Sequence, residues 1–440
     1  MKNSAISRRH FLAATGAALS LPAVVPASVF GADSTPPPSR RIALGIVGCG
    51  NMGTSNLRAF LNQPDCQVVA ACDVDKTHVQ HAVGLINRKY NNKDCKAYRD
   101  YRELLARTDI DAVMIATPDH WHALAAVEAA RQKKDIYGEK PLARTIAEQQ
   151  AIVRAVQQNQ RIWQMGSWQR SVTNFRKAAE IVRNGLIGKV TRIEVGLPAG
   201  NHDSGNLHPS MTESAPPPEL DYDTWIGPSK MMPYIQGRVH RNWRWNYNTG
   251  GGQLMDWIGH HCDIAHWGCD LDNTGPSEIE GHGEFPPKDA IWNTCTKYRI
   301  ELNYPKDIAM TIAGGYDEIK SGTKWIGTSG WVWVDRGAFE ASNEDWRDVR
   351  TLPDELRKVK LYESTDHHRN FLDCVKSRKP TVTPAEVGHH SAIPGHLGLI
   401  SMLVGRKLRW DPQSERILDD PEASNLLTRP YRPPWTLERS

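Results

Sequence analysis

The chain has 440 residues, of which 40% are hydrophobic and 24% are charged, and its formal net charge is only +4. This composition predicts a globular protein with room for two domains, and the small charge does not indicate binding to nucleic acid or anionic lipid. Tryptophan is frequent, with 15 residues against 7 phenylalanines. These rings either build cores and interfaces or stack on sugar faces in a substrate cleft.

The eight cysteines include no C-x-x-C pair, so we predict neither a zinc ribbon nor a thiol redox motif. Cys49 and Cys72 lie in or beside apparent buried strands, which indicates small core residues. The even number of cysteines permits disulfides, but their spacing gives no framework for them.

The N-terminus carries a targeting pattern. The run S-R-R-H-F-L from Ser7 to Leu12 matches the twin-arginine motif, and an Ala-rich apolar stretch that is broken by prolines follows it. That stretch is too short for a permanent transmembrane helix. We predict a twin-arginine signal peptide over residues 1–32, export to the periplasm by the twin-arginine translocase, and a Pro-rich linker over residues 33–40. The alternative is a chance Arg pair.

Apolar strands alternate with helical patterns over residues 41–165. This alternation predicts a parallel sheet with helices on both faces. Thr145 stands at the N-cap of one helix, with Glu148 at the capping-box position. The strands that we predict are 42–47, 67–72, 112–116 and 162–165, and the helices are 120–133 and 145–158.

Residues 166–440 form the second predicted domain, in which several strands alternate cleanly and indicate an antiparallel or mixed sheet with one covered face. A loop-rich stretch from Leu197 to Gly252 separates two parts of this domain, and such a long segment is typical of a wall or lid of a site. The predicted strands are 189–196, 279–285, 296–304, 309–313 and 331–335, and the predicted helices are 175–184, 367–376 and 384–404.

A glycine fingerprint, Gly48-Cys49-Gly50-Asn51-Met52-Gly53, follows the first strand directly and opens a helix. In that context G-x-G-x-x-G predicts a Rossmann dinucleotide site, with Asn51 and Met52 at the helix N-terminus that faces the phosphates. Gly48 permits the tight turn, Gly50 lets the pyrophosphate approach, and Gly53 lets the helix pack on the strand. The alternative is a glycine-rich turn without a ligand.

Asp73 ends the second strand, twenty residues after Gly53. An acidic side chain at this position binds the adenosine ribose hydroxyls and repels a 2′-phosphate, so NAD is predicted over NADP. Lys76 stands three residues further on and keeps NADP open as the alternative.

Further motifs resemble the Gfo/Idh/MocA oxidoreductases over essentially the whole chain after the signal, and most closely their twin-arginine-exported subgroup. The resemblance rests on A-T-P-D-H-W-H at 116–122, G-E-K-P-L at 138–142, D-W-I-G-H-H-C-D at 256–263 and H-R-N-F at 368–371. It implies a Rossmann domain, a C-terminal α/β domain with a large open sheet, and dimers or tetramers.

The same resemblance implies roles for individual residues. Lys140 matches the lysine that touches substrate and nicotinamide ribose, and Asp256 with His260 matches the D-x-x-x-H pair. Glu139 belongs to the E-K-P motif beside the cofactor. The residues that match the loop bordering the cofactor are Thr117, Pro118 and His122. Many relatives have glycine two residues after the aspartate, whereas this chain has Ile258 there and Gly259 next.

Asp256 and His260 are four residues apart and share one face if the segment is helical. A carboxylate beside an imidazole fixes its tautomer, and histidine is the natural base for a hydroxyl proton near neutral pH. The charge of Lys140 would stabilise a developing alkoxide. The alternatives are a structural role for His260 and a surface position for Lys140.

The pocket walls are predicted from aromatic and basic side chains, which either contact a polyhydroxylated ring or pack at an interface. These candidate substrate-binding residues are Trp168, Gln169, Arg170, Arg241, Trp243 and Trp245. We predict no metal site, because His202, Asp203 and His208 lack regular ligand spacing.

Together these features predict an NAD(P)-dependent oxidoreductase that moves a hydride from a secondary alcohol of a sugar, polyol or glycoside to the cofactor. The alternatives are an NAD-dependent glycoside hydrolase that oxidises the sugar transiently, and a non-catalytic cofactor- or sugar-binding sensor. The predicted partners are a small carbohydrate, the translocase and further copies of the chain, without nucleic acid.

Overall fold

The structure, a computed structural model, describes residues 36–201, 211–346 and 353–437. The predicted signal peptide and the residues His202, Asp203 and His208 lie outside the described residues. The chain divides into two units between Arg41 and Ile42. In the first unit, within the predicted linker, a 3₁₀ turn spans Pro38–Arg40.

The second unit opens with a parallel sheet whose strand order is β3-β2-β1-β4-β5-β6. Its apolar strands, such as the fully buried AVMI run of β4, are covered on both faces. The strand order reverses between β1 and β4, which opens a crevice at their carboxyl ends. The predicted Rossmann architecture is therefore confirmed. The strands are β1 (Ile42–Val47), β2 (Cys66–Cys72), β3 (Lys96–Tyr98), β4 (Ala112–Ile115), β5 (Asp135–Gly138) and β6 (Trp163–Met165).

Five helices connect these strands. Thr145 caps the last of them, because its Oγ1 accepts a hydrogen bond from the Glu148 amide at 3.3 Å. The predicted helix 120–133 ends earlier, at Arg131, because Lys133 adopts a left-handed backbone with φ of 60°. The helices are α1 (Asn51–Leu61), α2 (Lys76–Tyr90), α3 (Tyr101–Leu105), α4 (Asp119–Arg131) and α5 (Ile146–Gln158).

The second sheet has nine strands in the order β13-β12-β11-β7-β10-β9-β8-β14-β15. Strands β7 and β10 pair in parallel, whereas β10 with β9 and β11 with β7 are antiparallel, so the predicted mixed sheet is confirmed. The strands are β7 (Val190–Leu197), β8 (Glu278–Glu284), β9 (Lys297–Tyr304), β10 (Ile308–Gly314), β11 (Gly322–Gly327), β12 (Gly330–Asp335), β13 (Ala338–Ala341), β14 (Leu408–Asp411) and β15 (Arg416–Ile417).

Helices cover one face of this sheet and form the largest apolar core with it. Cys49 and Cys72 are buried core residues, as predicted, and all eight cysteines are free thiols. Within the described residues, no helix combines the length and the apolar character that crossing a membrane requires. The helices of this part are α6 (Thr173–Arg183), α7 (Tyr222–Ile226), α8 (Gly252–Cys269), α9 (His367–Ser377), α10 (Ala385–Val404) and α11 (Pro421–Asn425).

Residues 219–221, in the loop-rich segment before α8, lie against the Rossmann crevice. The Lys76 amide donates to the Glu219 carbonyl at 2.9 Å, and the Asp221 amide donates to the Val74 carbonyl at 3.1 Å. These bonds hold the segment beside the end of β2. Short 3₁₀ turns follow at Gln236–Arg238 and His240–Trp245.

Candidate active site

A cleft of about 1000 Å³ opens at the carboxyl ends of β1, β2 and β4 and is enclosed by residues 240–257 and by Trp435. This volume is at the upper end of the usual range for small-molecule sites. The cleft brings together most of the predicted site residues. Those that line it are Gly48, Gly50, Asn51, Met52, Asp73, Thr117, Pro118, Glu139, Lys140, Arg241, Trp243, Trp245 and Asp256.

The glycine turn has the geometry that a dinucleotide requires. Gly48 has a φ of +90°, and a Cβ on Gly53 would lie 1.9 Å from the Gly48 carbonyl oxygen. A Cβ on Gly50 would meet no protein atom within 4 Å, so that position faces open space. Gly50 also caps α1 without a side chain, which leaves the amides of its first turn free for an anion. These residues fit a bound pyrophosphate.

Asp73 links the glycine turn to the end of β2. One carboxylate oxygen accepts the Cys49 amide at 2.7 Å, and the other accepts the Asp75 amide at 2.9 Å. The carboxylate also raises the pKa of His78, whose Nδ1 lies 3.7 Å away. Asp73 is thus a fixed negative group on the cleft wall, which fits a ribose diol.

Lys140 follows β5 and reaches across to α8. Its Nζ donates to the Asp256 carboxylate at 2.9 Å and to the Asp256 carbonyl at 2.7 Å. Arg244 Nε donates to the same carboxylate oxygen at 2.9 Å. Burial raises the pKa of Asp256, but the charges of Lys140 and Arg244 outweigh it and hold this pKa well below its usual range. The result is a largely desolvated cation at the edge of the cleft.

His260 lies one turn after Asp256 on α8, but the predicted contact between the two is not present. The Asp256 carboxylate is engaged by Lys140 and Arg244, and Nδ1 of His260 has no hydrogen-bond partner among the described residues. Burial, together with the charges of Lys140 and Arg336, lowers the pKa of His260 well below its usual range. Its imidazole is therefore neutral at neutral pH, which is the form that accepts a proton.

The His260 ring is 6% exposed and is not among the described residues that line the cleft. Its centroid lies 5.6 Å from that of Trp257 and 6.4 Å from that of Trp168. The guanidinium of Arg336 lies over both indole rings. His260 thus stands behind an aromatic layer rather than on the cleft surface.

His122 and Glu139 hold the loops that border the cleft. The ring nitrogens of His122 lie 2.8 and 2.9 Å from the carbonyl oxygens of Pro141 and Thr117. Glu139 accepts a hydrogen bond from the Asn56 side chain at 2.8 Å. His122 therefore positions the Thr117 loop from behind, whereas Glu139 is part of the cleft wall.

Arg170 does not reach the cleft. Its guanidinium makes paired hydrogen bonds of 2.8 Å to Asp263 and to Asp272, and its side chain is 2% exposed. Burial lowers its pKa, but the two carboxylates outweigh this and raise it above the usual range. Because its guanidinium is buried, paired with two carboxylates and outside the cleft lining, its placement does not support the predicted substrate contact.

Gln169 and Trp168 also lie outside the cleft lining. Gln169 accepts a hydrogen bond from Arg336 Nε at 3.1 Å, and Trp168 stacks under the same guanidinium. The structure therefore divides the predicted wall residues. Arg241, Trp243 and Trp245 line the cleft, and Trp168, Gln169 and Arg170 do not.

Asp119 is a cleft residue that sequence analysis did not select. It begins α4, is 3% exposed, and its Oδ1 has no hydrogen-bond partner in the described part of the chain. Burial raises its pKa to about 7 in spite of the nearby charges of Arg244 and Lys140. Its place in the T-P-D-H-W-H motif was the available signal. Arg244 and Trp435 are two further cleft residues that were not predicted.

Two groups of side chains have metal-ligand chemistry, with ligand atoms within 4.8 Å of one another. In each group, at least one side chain already has another structural role. Asp75 caps α2, and His389 pairs with Glu415 at 2.9 Å. The absence of a metal site stays a prediction. The groups are Asp75, His78 and His240 at the Asp73 end of the cleft, and His389, His390 and Glu415.

Two family models match nearly the whole described chain. Residues 42–167 match the GFO_IDH_MocA model described as an oxidoreductase family, NAD-binding Rossmann fold. Residues 170–437 match the model described as an oxidoreductase family, C-terminal alpha/beta domain.

Similar curated proteins include two kinds of enzyme. The inositol 2-dehydrogenase of Salmonella typhimurium is 31% identical over 193 residues, which cover 43% of this chain and 53% of that protein. A glycosyl hydrolase family 109 protein of Shewanella putrefaciens is 30% identical over 204 residues, which cover 42% of this chain and 44% of that protein. The chain thus spans about half the length of these relatives.

Solved structures show the same fold. Levoglucosan dehydrogenase, in complex with NADH and L-sorbose, has a TM-score of 0.61 at 16% identity, covering 84% of this chain and 99% of that one. The aldose-aldose oxidoreductase of Caulobacter crescentus, complexed with glycerol, has a TM-score of 0.60 at 17% identity, covering 84% and 100%.

Proposed function

Because the chain belongs to the Gfo/Idh/MocA oxidoreductase family, we propose that it oxidises a secondary alcohol of a sugar, polyol or glycoside with NAD. The observation that carries this proposal is the Lys140 ammonium, bonded to Asp256 in the same cleft as the glycine turn. The similarity to an inositol 2-dehydrogenase and to the fold of a levoglucosan dehydrogenase supports a polyol or sugar substrate.

The nicotinamide supplies the hydride acceptor, and the protein supplies orientation and electrostatics. Lys140 binds the substrate hydroxyl and stabilises negative charge as it develops on that oxygen. Asp256 positions Lys140 through the 2.9 Å contact between its carboxylate and the ammonium. The negative carboxylate also balances the positive charge of Lys140, whose side chain is buried. We propose His260, the base that the resemblance implies, as the acceptor of the hydroxyl proton, which requires its ring to move past Trp257 to the cleft surface when substrate binds.

The experiment is a screen of inositols, free sugars, sugar acids and glycosides with added NAD, following NADH absorbance and glycosidic cleavage together. On the substrate found, we expect Lys140→Met to lower kcat by about 100-fold or more. Its Kd for NAD should change only a few-fold, because the phosphate and adenosine-ribose contacts remain. Full turnover by Lys140→Met would rule out the role of Lys140.

Lys324→Met provides the matched control. Lys324 lies on β11, 4.8 Å from the Trp331 ring centroid and outside the cleft. This variant loses the same charge and should keep the kcat and KM of the unchanged protein. An equal loss in both variants would indicate a general effect on folding.

The second candidate is an NAD-dependent glycoside hydrolase, favoured by the similarity to a family 109 glycosyl hydrolase. Transient oxidation of the sugar would then use the same Lys140 contact, but the cofactor would be restored in each turnover. Glycoside cleavage without net NADH formation would select this candidate over the dehydrogenase.

A further inference from the structure

The last described residues form a strap, defined here as residues 427–437, that returns to the Rossmann domain. The Leu427 carbonyl accepts the Ala147 amide at 3.0 Å, and the Leu437 carbonyl accepts Arg131 at 3.0 Å. Both ends of the strap are therefore held on the helices of the nucleotide-binding domain, α5 and α4.

Charged anchors hold the middle of the strap. Arg429 Nε lies 2.8 Å from Glu148, which also accepts the Tyr431 hydroxyl at 2.6 Å. Arg432 lies 2.8 Å from the Asp223 carboxylate, and its amide donates to the Pro228 carbonyl at 2.9 Å. Arg432 thus ties the strap to the segment that encloses the cleft.

These anchors place Trp435 in the cleft wall. Its ring centroid lies 4.8 Å from that of Trp121, at an interplanar angle of 80°, and the Arg102 guanidinium lies 5.3 Å from the ring. Tyr101 packs on the other side of Trp121, at 5.7 Å between centroids. The Nε1 donor of Trp435 is buried and has no hydrogen-bond partner within residues 36–201, 211–346 and 353–437. All four side chains line the cleft.

The position of this aromatic group relative to Asp73 indicates its ligand. The Asp73 amide donates to the Tyr98 carbonyl at 3.2 Å, so the end of β3, followed by Tyr101 and Arg102, lies next to the ribose-binding carboxylate. In NAD the adenine is attached to that ribose. The cleft therefore continues from the ribose position toward a pocket of aromatic rings, and flat rings stack favourably on a purine.

We propose that Trp435 forms the outer wall of the adenine subsite and that the strap slows the release of NAD. This inference rests on NAD binding, which is part of the proposed function, and does not depend on the hydride step. It assigns a cofactor contact to a residue more than 300 positions after the glycine turn.

The test is NAD binding to the full chain, with the Kd from calorimetry and the dissociation rate from stopped-flow fluorescence. We expect Trp435→Ala to raise the Kd about tenfold, mainly through faster dissociation, because one stacking face is lost. Trp435→Phe should stay within about threefold. Arg432→Gln removes the Asp223 anchor of the strap without changing the ring and should also speed dissociation several-fold.

Trp331→Ala is the control, since Trp331 lies on β12 away from the cleft and should leave NAD binding unchanged. Unaltered NAD dissociation in a folded Trp435→Ala overturns the proposal, and so does an equal change in Trp331→Ala. If Trp435→Ala fails to fold, the dissociation rate of NAD from Arg432→Gln is the test, and an unaltered rate overturns the proposal. NAD binding without turnover on any substrate would count against the hydride step alone, whereas failure of the unchanged protein to bind NAD would overturn both.

Discussion

Asp119 couples the protonation of the site to the stability of the protein. Its carboxyl group is buried, and its pKa is raised from 3.8 to about 7. Between these two values the folded chain binds a proton at Asp119 that the unfolded chain has released. The free energy of unfolding therefore falls as pH rises from about 4 to about 7. Above about pH 7 this loss of stability stays constant.

We predict that Asp119→Asn gains stability relative to the unchanged protein over that pH window. The gain should reach at most about 4 kcal/mol, at 1.36 kcal/mol for each unit of pKa shift. The measurement is the difference in Tm between the two proteins at pH 4.5, 6, 7.5 and 9. The variant Asp317→Asn, at an exposed carboxylate, should show no comparable trend. A difference for Asp119→Asn that does not change with pH would contradict the prediction.

Single residues were predictable where a local motif carries the chemistry. Gly48, Gly50 and Lys140 could be selected because a turn, a helix start or an E-K-P motif surrounds them. Asp119 could not be selected on chemical grounds, because its raised pKa comes from burial by residues distant in the chain. The Asp256 carboxylate was expected beside His260. Its bonds to Lys140 and Arg244 could not be predicted, because Lys140 lies in the other domain.

Among the elements, α8 joins the site to the core. Its face toward the cleft carries Asp256, and Asp263 further along pairs with Arg170. Burial raises the pKa of Asp263 to about 6 even though Arg170 lowers it. Without Arg170 this carboxylate would lack a buried partner, so the ion pair fixes α8 against the 3₁₀ turn at Trp168–Ser171.

We predict that Arg170→Met lowers the free energy of unfolding by about 3–5 kcal/mol, because it leaves a buried carboxylate unpaired. The double variant Arg170→Met/Asp263→Leu should recover part of this loss, since the fully buried Asp263 carboxylate is removed, whereas Asp272, whose side chain is 19% exposed, lacks Arg170 in both variants. Thermal unfolding measures both. Arg409→Met removes a guanidinium that is 60% exposed and should change stability by less than about 1 kcal/mol. No recovery in the double variant would show that the ion pair does not carry the effect.

Most elements were predictable because their apolar period is clear. The predicted strand 42–47 coincides with β1, and the predicted helix 384–404 differs from α10 by one residue. Strand β11 was missed because its sequence, G-T-K-W-I-G, begins and ends with glycine and carries a lysine at its centre. Its pairing with β7 and β12, rather than its own pattern, makes it a strand.

The whole molecule brings distant segments to one cleft. The glycine turn, Lys140 and Asp256 come from three parts of the chain, and the strap adds Trp435 from the end. Motifs predicted the first three, but no periodicity marks the strap, since its contacts are with α4, α5 and residues 223–228. Sequence patterns therefore could not predict that the strap packs against the cleft.

The contact of the strap with the cleft is relevant to the cellular compartment of the protein. We propose that the twin-arginine run at residues 7–12 directs the protein to the periplasm after folding. NAD is supplied in the cytoplasm, so an exported enzyme must carry it across. Eight free thiols are consistent with folding in a reducing compartment. A strap that slows NAD release would keep the cofactor in place after export.

We predict that protein recovered from the periplasm contains about one NAD per chain, measured by mass spectrometry of the denatured protein. Arg8→Lys/Arg9→Lys should hold the protein in the cytoplasm, because the twin-arginine pair is the recognised signal. Arg40→Lys/Arg41→Lys changes another Arg pair and should be exported normally. Periplasmic protein without nucleotide would contradict retention, and unchanged export of Arg8→Lys/Arg9→Lys would contradict the route. Since Trp435→Ala should lose NAD faster, its periplasmic form should carry less nucleotide than the unchanged protein, which links the strap to the need for export.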